Sequence, residues 1–149
     1  MKRLHLHVSV PDLDQSIAFY STLFGVGPTV TKADYAKWLI DDPRVNFAIS
    51  QRDRAAGLEH VGVQVDSPAE LAELAGRLKA AGAETFDQEA TTCCYAKSDK
   101  SWVSDPAGLR WETFYTFGEA VTYGEDLAEA PAPAPATPPA PAASSAPAQ

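Results

Sequence analysis

Residues 58–82 read LEHVGVQVDSPAELAELAGRLKAAG, and they repeat the pattern of residues 4–25, LHLHVSVPDLDQSIAFYSTLFG. In the later stretch Val61, Val63 and Val65 alternate onto one face of a strand over Leu58–Val65, and His60 lies on the other. The strand gives way to a helix with Ser67 as N-cap, Pro68 at its first position, Glu70 as the acid of its first turn and Gly82 as its stop. The earlier stretch predicts a strand over Arg3–Val10. Its leucines and valines share one face, and His5, His7 and Ser9 share the other. Pro11 marks the exit and Asp12 the N-cap. Leu13, Ile17, Tyr20 and Phe24 then recur at helical spacing until Gly25.

Short strands are expected after each helix. In the first half they are Pro28–Lys32, Tyr35–Ile40 and Val45–Ser50, with Asp41-Asp42-Pro43 turning between the last two. In the second half they are Glu84–Glu89, Cys93–Ala96, Ser101–Ser104 and Arg110–Phe117, with Asp105-Pro106-Ala107-Gly108 turning before the last. A strand, a helix and a run of short strands therefore occur twice, at a period of about 55 residues, and each half reads as a βαβββ unit. The predicted class is α+β: two modules, about 3–51 and 57–118, each a curved half-sheet, facing each other across a cleft.

Of the 149 residues, those from Ala130 to Gln149 are only Ala, Pro, Ser, Thr and one Gln, and hold seven of the twelve prolines. Such a segment has no side chains with which to build a core. The expected division is a domain over 1–120 and an Ala/Pro-rich flexible tail over 121–149. A net charge of −8 with scattered cations gives no footprint for nucleic acid or an anionic membrane. No apolar run approaches a membrane span, and MKRLHLHVSV is too short and polar for a signal peptide. The reading is a cytoplasmic protein with its thiols reduced.

Those thiols are Cys93 and Cys94, the only two cysteines. Adjacent Cα atoms lie about 3.8 Å apart, short of the roughly 4.4–6.8 Å of ordinary disulfides. Two neighbouring sulfurs do suit one soft atom. On a strand the two would point to opposite faces, so joint binding requires a loop or bulge. The polar flank Thr91, Thr92, Lys97, Ser98, Asp99, Lys100 allows one. A lysine nearby would favour thiolate; otherwise Lys97 and Lys100 read as solvated charges. The alternative for the pair is two small buried hydrophobes.

Three further residues carry metal-ligand chemistry: His5, His60 and Glu112. A lone strand histidine is more often a satisfied core residue, but His60 recurs at the position of His5. Glu112, between Trp111 and Thr113, is a carboxylate in an apolar strand and needs a cation. That cation is either a metal or a salt-bridge partner such as Arg110. His7 shares the face of His5 and reads as a pocket residue or a support behind the ligands; His5 is preferred to it as the ligand because it stands seven residues before Asp12. Tyr95, Trp102 and Trp111 either line a pocket or simply pack.

The chain resembles the vicinal oxygen chelate superfamily, which includes glyoxalase I, bleomycin-resistance proteins and extradiol dioxygenases. The resemblance covers about residues 3–118. It is carried by HLHVSVPDLDQSIAFY with His5 seven residues before Asp12, by LEHVGVQVD and by DPAGLRWETFY. Within that superfamily, TTCCYAKSDKSWVSDPAGLRWE is similar to the carbon–arsenic lyase group and the cadmium-induced protein group. The resemblance implies metal ligands at His5, His60 and Glu112, a facial triad suited to Fe(II) and dioxygen. Some members add a carboxylate from the last strand of the first module, and VNFAIS carries none.

The activity implied is an Fe(II)- and dioxygen-dependent carbon–arsenic lyase acting on trivalent organoarsenicals. Its catalytic residues would be Glu112, His5 and His60, with substrate held by Cys93, Cys94, Tyr95 and Lys100. The partners would be a small-molecule organoarsenical and dioxygen, with a homodimer possible. Two alternatives stay open: a cadmium- or soft-metal-binding protein without turnover, and another dioxygenase of the superfamily.

Overall fold

A computed structural model describes residues 1–124. The elements run β1 (Arg3–Ser9), α1 (Leu13–Phe24), β2 (Val30–Lys32), β3 (Tyr35–Asp41), β4 (Arg44–Ser50), β5 (Gly57–Val65), α2 (Pro68–Ala80), β6 (Phe86–Cys93), β7 (Ala96–Ser104) and β8 (Arg110–Glu119). This is βαβββ twice, as the repeat predicts. The strands form one curled, mixed sheet in the order β2-β3-β4-β1-β5-β8-β7-β6. The second half, read outward from β5, repeats the first half read outward from β1. The two first strands meet at the centre as an antiparallel pair, and each runs parallel to the last strand of its own module. The modules thus join within one chain.

The helix signals act as read. Asp12 caps α1 by accepting from the Gln15 amide, and Gly25 ends it in the left-handed region at φ 69°. Ser67 accepts from the Glu70 amide at the start of α2, and Pro68 opens the helix. In the first module Leu13 of α1 packs onto Val10, Ala36, Trp38, Phe47 and Ile49, with Ile17, Tyr20 and Phe24 against them. The helices cover the face that carries the leucines and valines of β1. His5, His7 and Ser9 occupy the other face, all buried. No described helix is long and apolar enough to cross a membrane.

The second module departs from its predicted strand boundaries. The expected strand Cys93–Ala96 is instead the tip of a hairpin: β6 ends at Cys93, β7 starts at Ala96, and Cys94-Tyr95 forms the turn. Both turn residues have positive φ, 57° and 60°. That is the twist that matches two right-handed strands across a two-residue loop. Its usual signature, Asn-Gly or Asp-Gly, is absent, which is why the sequence did not announce it.

The expected tail falls mainly on residues 125–149, outside the described part. Within residues 121–124, Tyr123 is buried against Tyr35, Ala48 and Cys93, and Gly124 bridges to Cys93. A Cβ on Gly124, at φ +89°, would overlap the Thr92 carbonyl.

Candidate active site

Three adjacent central strands supply the first cluster. Strand alternation puts His5 and His7 on one face of β1, His60 on that face of β5, and Glu112 on that face of β8. The register sets His7 opposite His60, and Gly62 opposite both His5 and Glu112. Gly62 thus keeps the centre of the cluster clear, and a Cβ there would overlap the Glu112 carbonyl oxygen.

The donor atoms converge. His5 Nε2 lies 3.2 Å from His60 Nε2. Glu112 Oε2 is 3.6 Å from His5 Nε2 and 3.4 Å from His60 Nε2. Donors bound to one ion at about 2.1 Å stand roughly 3.0–3.4 Å apart when adjacent, so the triangle already has the size of one face of a coordination shell. His5 is oriented by its other nitrogen, Nδ1, which donates to the Asn46 carbonyl at 3.0 Å, the usual outer support of a ligating histidine. One ring nitrogen from each of His5, His7 and His60 falls within a 4.8 Å group, and all three rings are buried. These residues fit a divalent metal ion.

Electrostatics agree. Burial lowers His5 to about 4, with His60 and Lys100 adding to the effect and Glu112 opposing it. Burial likewise lowers His7. Both imidazoles are therefore neutral near pH 7, the form that binds metal. Burial acts to raise Glu112, but Lys100 and the two histidines outweigh it and hold the carboxyl well below its ordinary range.

The cation beside Glu112 in the protein itself is Lys100, whose Nζ donates to Oε1 at 2.5 Å. From the sequence, Lys100 reads as a charge near the thiols and, through the resemblance, as a substrate contact, with Arg110 the example of a salt-bridge partner for Glu112. The structure puts Lys100, not Arg110, on Glu112. Lys100 is only 5 % exposed, because alternation along β7 turns it inward over Glu112. The Arg110 guanidinium stacks on Trp102 instead, 4.8 Å from the ring centre.

The thiol pair is the second cluster. In the hairpin turn the two side chains share one side, with Cys93 Sγ 3.0 Å from Cys94 Sγ and no disulfide between them. A strand would have separated them. The hydrogen bond from Cys94 lowers Cys93, and nearby Lys100 adds to this. The same bond, with burial, raises Cys94. The pair therefore holds one thiolate-leaning and one protonated sulfur.

Lys100 links the clusters: its Nζ holds Glu112, and its charge lowers the Cys93 thiol. Around the thiols stand Tyr35, Tyr95 and Tyr123, with ring centres 5.7–6.0 Å apart. Tyr95 donates to Asp34 at 2.5 Å, fastening the hairpin to the first module. Tyr35 also packs on His7, 6.1 Å between centres. A groove of about 590 Å³ opens beside Cys94 and Tyr95 and reaches Lys37, Gln64 and Glu119.

Every residue singled out from the sequence as ligand or substrate contact thus lies in one of two touching clusters. Trp111 does not. It lines a separate apolar cavity of about 540 Å³ with Val63, Leu74, Leu78 and Val103 on the α2 side of the sheet. Sequence reasoning missed Tyr35, Tyr123 and Asp34. Tyr35 carried a usable signal, since it begins β3 on the face that alternation gives to Lys37, a lining residue of the groove beside Cys94. Tyr123 carried none, sitting past the last predicted strand.

Comparison with known proteins agrees with this architecture. The family model described as "Glyoxalase/Bleomycin resistance protein/Dioxygenase superfamily" matches residues 2–113. A trivalent organoarsenical cleaving enzyme of Bacillus sp. (strain MD1) is 44% identical over 119 residues, covering 78% of this chain and 74% of that one. A protein of the same name from Thermomonospora curvata is 40% identical, with 82% of each chain covered. The cadmium-induced protein CadI of Mycobacterium bovis is 38% identical over 83% of this chain and 82% of its own. Among solved structures, homoprotocatechuate 2,3-dioxygenase from Arthrobacter globiformis shares the fold. Its TM-score is 0.57 at 24% identity, covering 80% of this chain and 37% of that one. With its paired βαβββ modules and the buried histidine–glutamate cluster at their junction, the chain belongs to the glyoxalase/bleomycin resistance protein/dioxygenase superfamily, and it is similar to the trivalent organoarsenical cleaving enzymes and the cadmium-induced proteins.

Proposed function

We propose that this protein is an Fe(II)- and dioxygen-dependent carbon–arsenic lyase that cleaves trivalent organoarsenicals to arsenite. The observation that carries the reading is the closeness of the two clusters: Tyr35 packs with Cys93 and on His7, and Lys100 holds Glu112 while its charge favours the Cys93 thiolate. A pair of sulfurs suited to As(III) stands one side chain away from a donor set suited to a divalent metal. The names of the 40–44% identical relatives support the same substrate class.

Cys93 is the first nucleophile toward As(III), because Lys100 and the Cys94 hydrogen bond favour its thiolate; it displaces one hydroxyl of the arsenical, which leaves as water with a proton from solvent. Cys94 follows, its proton leaving with the second hydroxyl as water. Two sulfurs fix the arsenic and turn a two-substrate encounter into an effectively intramolecular one. Tyr35, Tyr95 and Tyr123 exclude water around the adduct, and Tyr95 holds the hairpin in place through Asp34. His5, His60 and Glu112 would hold the Fe(II), with Lys100 retaining the second oxygen of Glu112. When bound, Fe(II) supplies the one-electron chemistry that lets dioxygen react with carbon. For methylarsenite and one dioxygen, atoms balance as arsenite plus formaldehyde, so oxygen uptake and arsenite release should match one for one.

The test is single turnover on anaerobically Fe(II)-loaded protein, given methylarsenite and then dioxygen. Arsenite release that requires Fe(II), dioxygen and both cysteines is expected. A second reading is favoured by the cadmium-induced relatives: sequestration of a soft cation by Cys93 and Cys94 without turnover. Binding of arsenical without arsenite release would select it. Turnover of a catechol by the Cys93→Ser, Cys94→Ser protein would instead point to an ordinary dioxygenase of the superfamily.

A further inference from the structure

We propose that His7 is a fourth protein ligand of the metal centre, so that this chain holds its ion with three imidazoles and one carboxylate. The inference rests on the metal-centre reading above and adds a residue to it.

The first ground is placement. His5-Leu6-His7 lies within β1, and alternation sends both histidines to the same face. Two histidines spaced this way on a strand are a chelating pair for one ion, provided a third donor closes the site. The register supplies it, with His60 directly opposite His7 and ring centres 5.0 Å apart. The 4.8 Å limit on the three nitrogens compares with about 4.2 Å for donors on opposite sides of one ion with bonds near 2.1 Å. Closing that gap among the three histidines takes roughly half an ångström, a movement within ordinary side-chain freedom, and Glu112 joins the set through its approaches to His5 and His60.

The second ground is hydrogen bonding. His7 Nε2 lies 2.9 Å from Ser50 Oγ, while its Nδ1 is buried with no partner. The ring is only 1 % exposed. Buried ring nitrogens in a purely structural histidine are normally satisfied. A ligating histidine shows another pattern: one nitrogen held by a fixed neighbour, the other presenting a bare lone pair. His5 has that pattern, with Nδ1 on the Asn46 carbonyl and Nε2 facing His60 and Glu112. His7 takes that pattern with the nitrogens exchanged when its Nε2 carries the proton and donates to Ser50 Oγ, which leaves Nδ1 unprotonated and without a partner.

The consequence is selective. A donor set of three imidazoles and a carboxylate favours Fe(II), Co(II), Ni(II), Cu(II) or Zn(II) over Mg(II) and Ca(II). It leaves an ion that takes six donors about two further positions. Two are enough when the arsenical is held by sulfur and dioxygen alone must reach the metal.

The chain has three histidines in all, so nitrogen-15 NMR of the untagged full-length protein resolves each imidazole. The probe is one equivalent of Zn(II), with the Cys93→Ser, Cys94→Ser protein as a second arm to keep zinc off the thiols. One nitrogen in each of the three rings should move to a metal-bound shift, and in His7 it should be Nδ1. Movement of His5 and His60 alone would overturn the proposal and leave the metal centre standing. Movement of none would overturn both. His7→Phe, which keeps an aromatic ring against Tyr35, should weaken Zn(II) about 100-fold or more. Ser50→Ala, which removes only the support of His7, should weaken it roughly tenfold. Zinc affinity unchanged in His7→Phe would also overturn the proposal.

Discussion

Lys100 and Glu112 form a buried pair, and each side chain makes the other tolerable. Replacing Lys100 by Met leaves a carboxylate without its cation, which typically costs about 3–5 kcal/mol. Urea unfolding of metal-free Lys100→Met should show a loss of that order. Added Zn(II) should recover more of it in the variant than in the wild type, because the ion then supplies the missing charge. His5 makes a pH prediction. Its pKa is ordinarily 6.5 and is lowered to about 4 in the folded protein. Between those values the unfolded chain binds a proton that the folded one does not, so metal-free stability falls as pH drops from 6.5 toward 4. One such group contributes about 1.4 kcal/mol per pH unit, or about 3 kcal/mol over the window. His7, lowered by burial as well, steepens the slope. Urea midpoints at pH 7.5, 6 and 5 would show the trend, and a flat profile would contradict the buried neutral imidazoles.

At the level of elements, the site depends on a strand crossing without a side chain. Gly62 faces His5 on one neighbour and Glu112 on the other, and a methyl group there meets backbone rather than a side chain free to move. Overpacking of this kind costs about 1–3 kcal/mol, occasionally more. Gly62→Ala should lie at the upper end and should also weaken Zn(II), since β5 and β8 must part to admit the methyl. Intact zinc affinity in a folded Gly62→Ala protein would show that the ligands do not depend on that register. The thiol hairpin shows the converse. Two non-glycine residues with positive φ are held by the Tyr95–Asp34 bond and the contacts of Tyr123. Tyr95→Phe keeps the ring and removes the bond. It should raise the KM for methylarsenite several-fold and leave Zn(II) affinity unchanged.

For the whole molecule, His5 and His7 come from one module and His60 and Glu112 from the other. An ion bound at the junction therefore couples the halves. Binding to the folded state alone adds RT ln(1 + [L]/Kd), about 2.7 kcal/mol at a hundredfold excess over Kd. Calorimetry should show one cooperative transition that rises with Zn(II), as the continuous sheet across β1 and β5 requires. Two separated transitions, with only one responding to zinc, would mean that the modules melt independently.

Much of this is legible in the sequence. Caps, alternation and the repeated βαβββ unit follow from local physics, so His5, His60 and Glu112 could be placed on matching strands, each facing away from its helix. The adjacent thiols could be recognised as a pair that needs a loop. The remainder depended on distance in space. Whether Cys94-Tyr95 turned or ran on was set by contacts with Asp34 and Tyr123, far away in sequence. Burial of Lys100 followed from which strand lay across from it, and the meeting of the modules within one chain followed from the pairing of β1 with β5. The bare nitrogen of His7 is visible only where Ser50 has taken the other one. Sequence determined which residues could take part, because residue type and period are local. Tertiary structure decided which of them meet, because strand pairing brings together positions about 55 residues apart, and no local signal encodes that register.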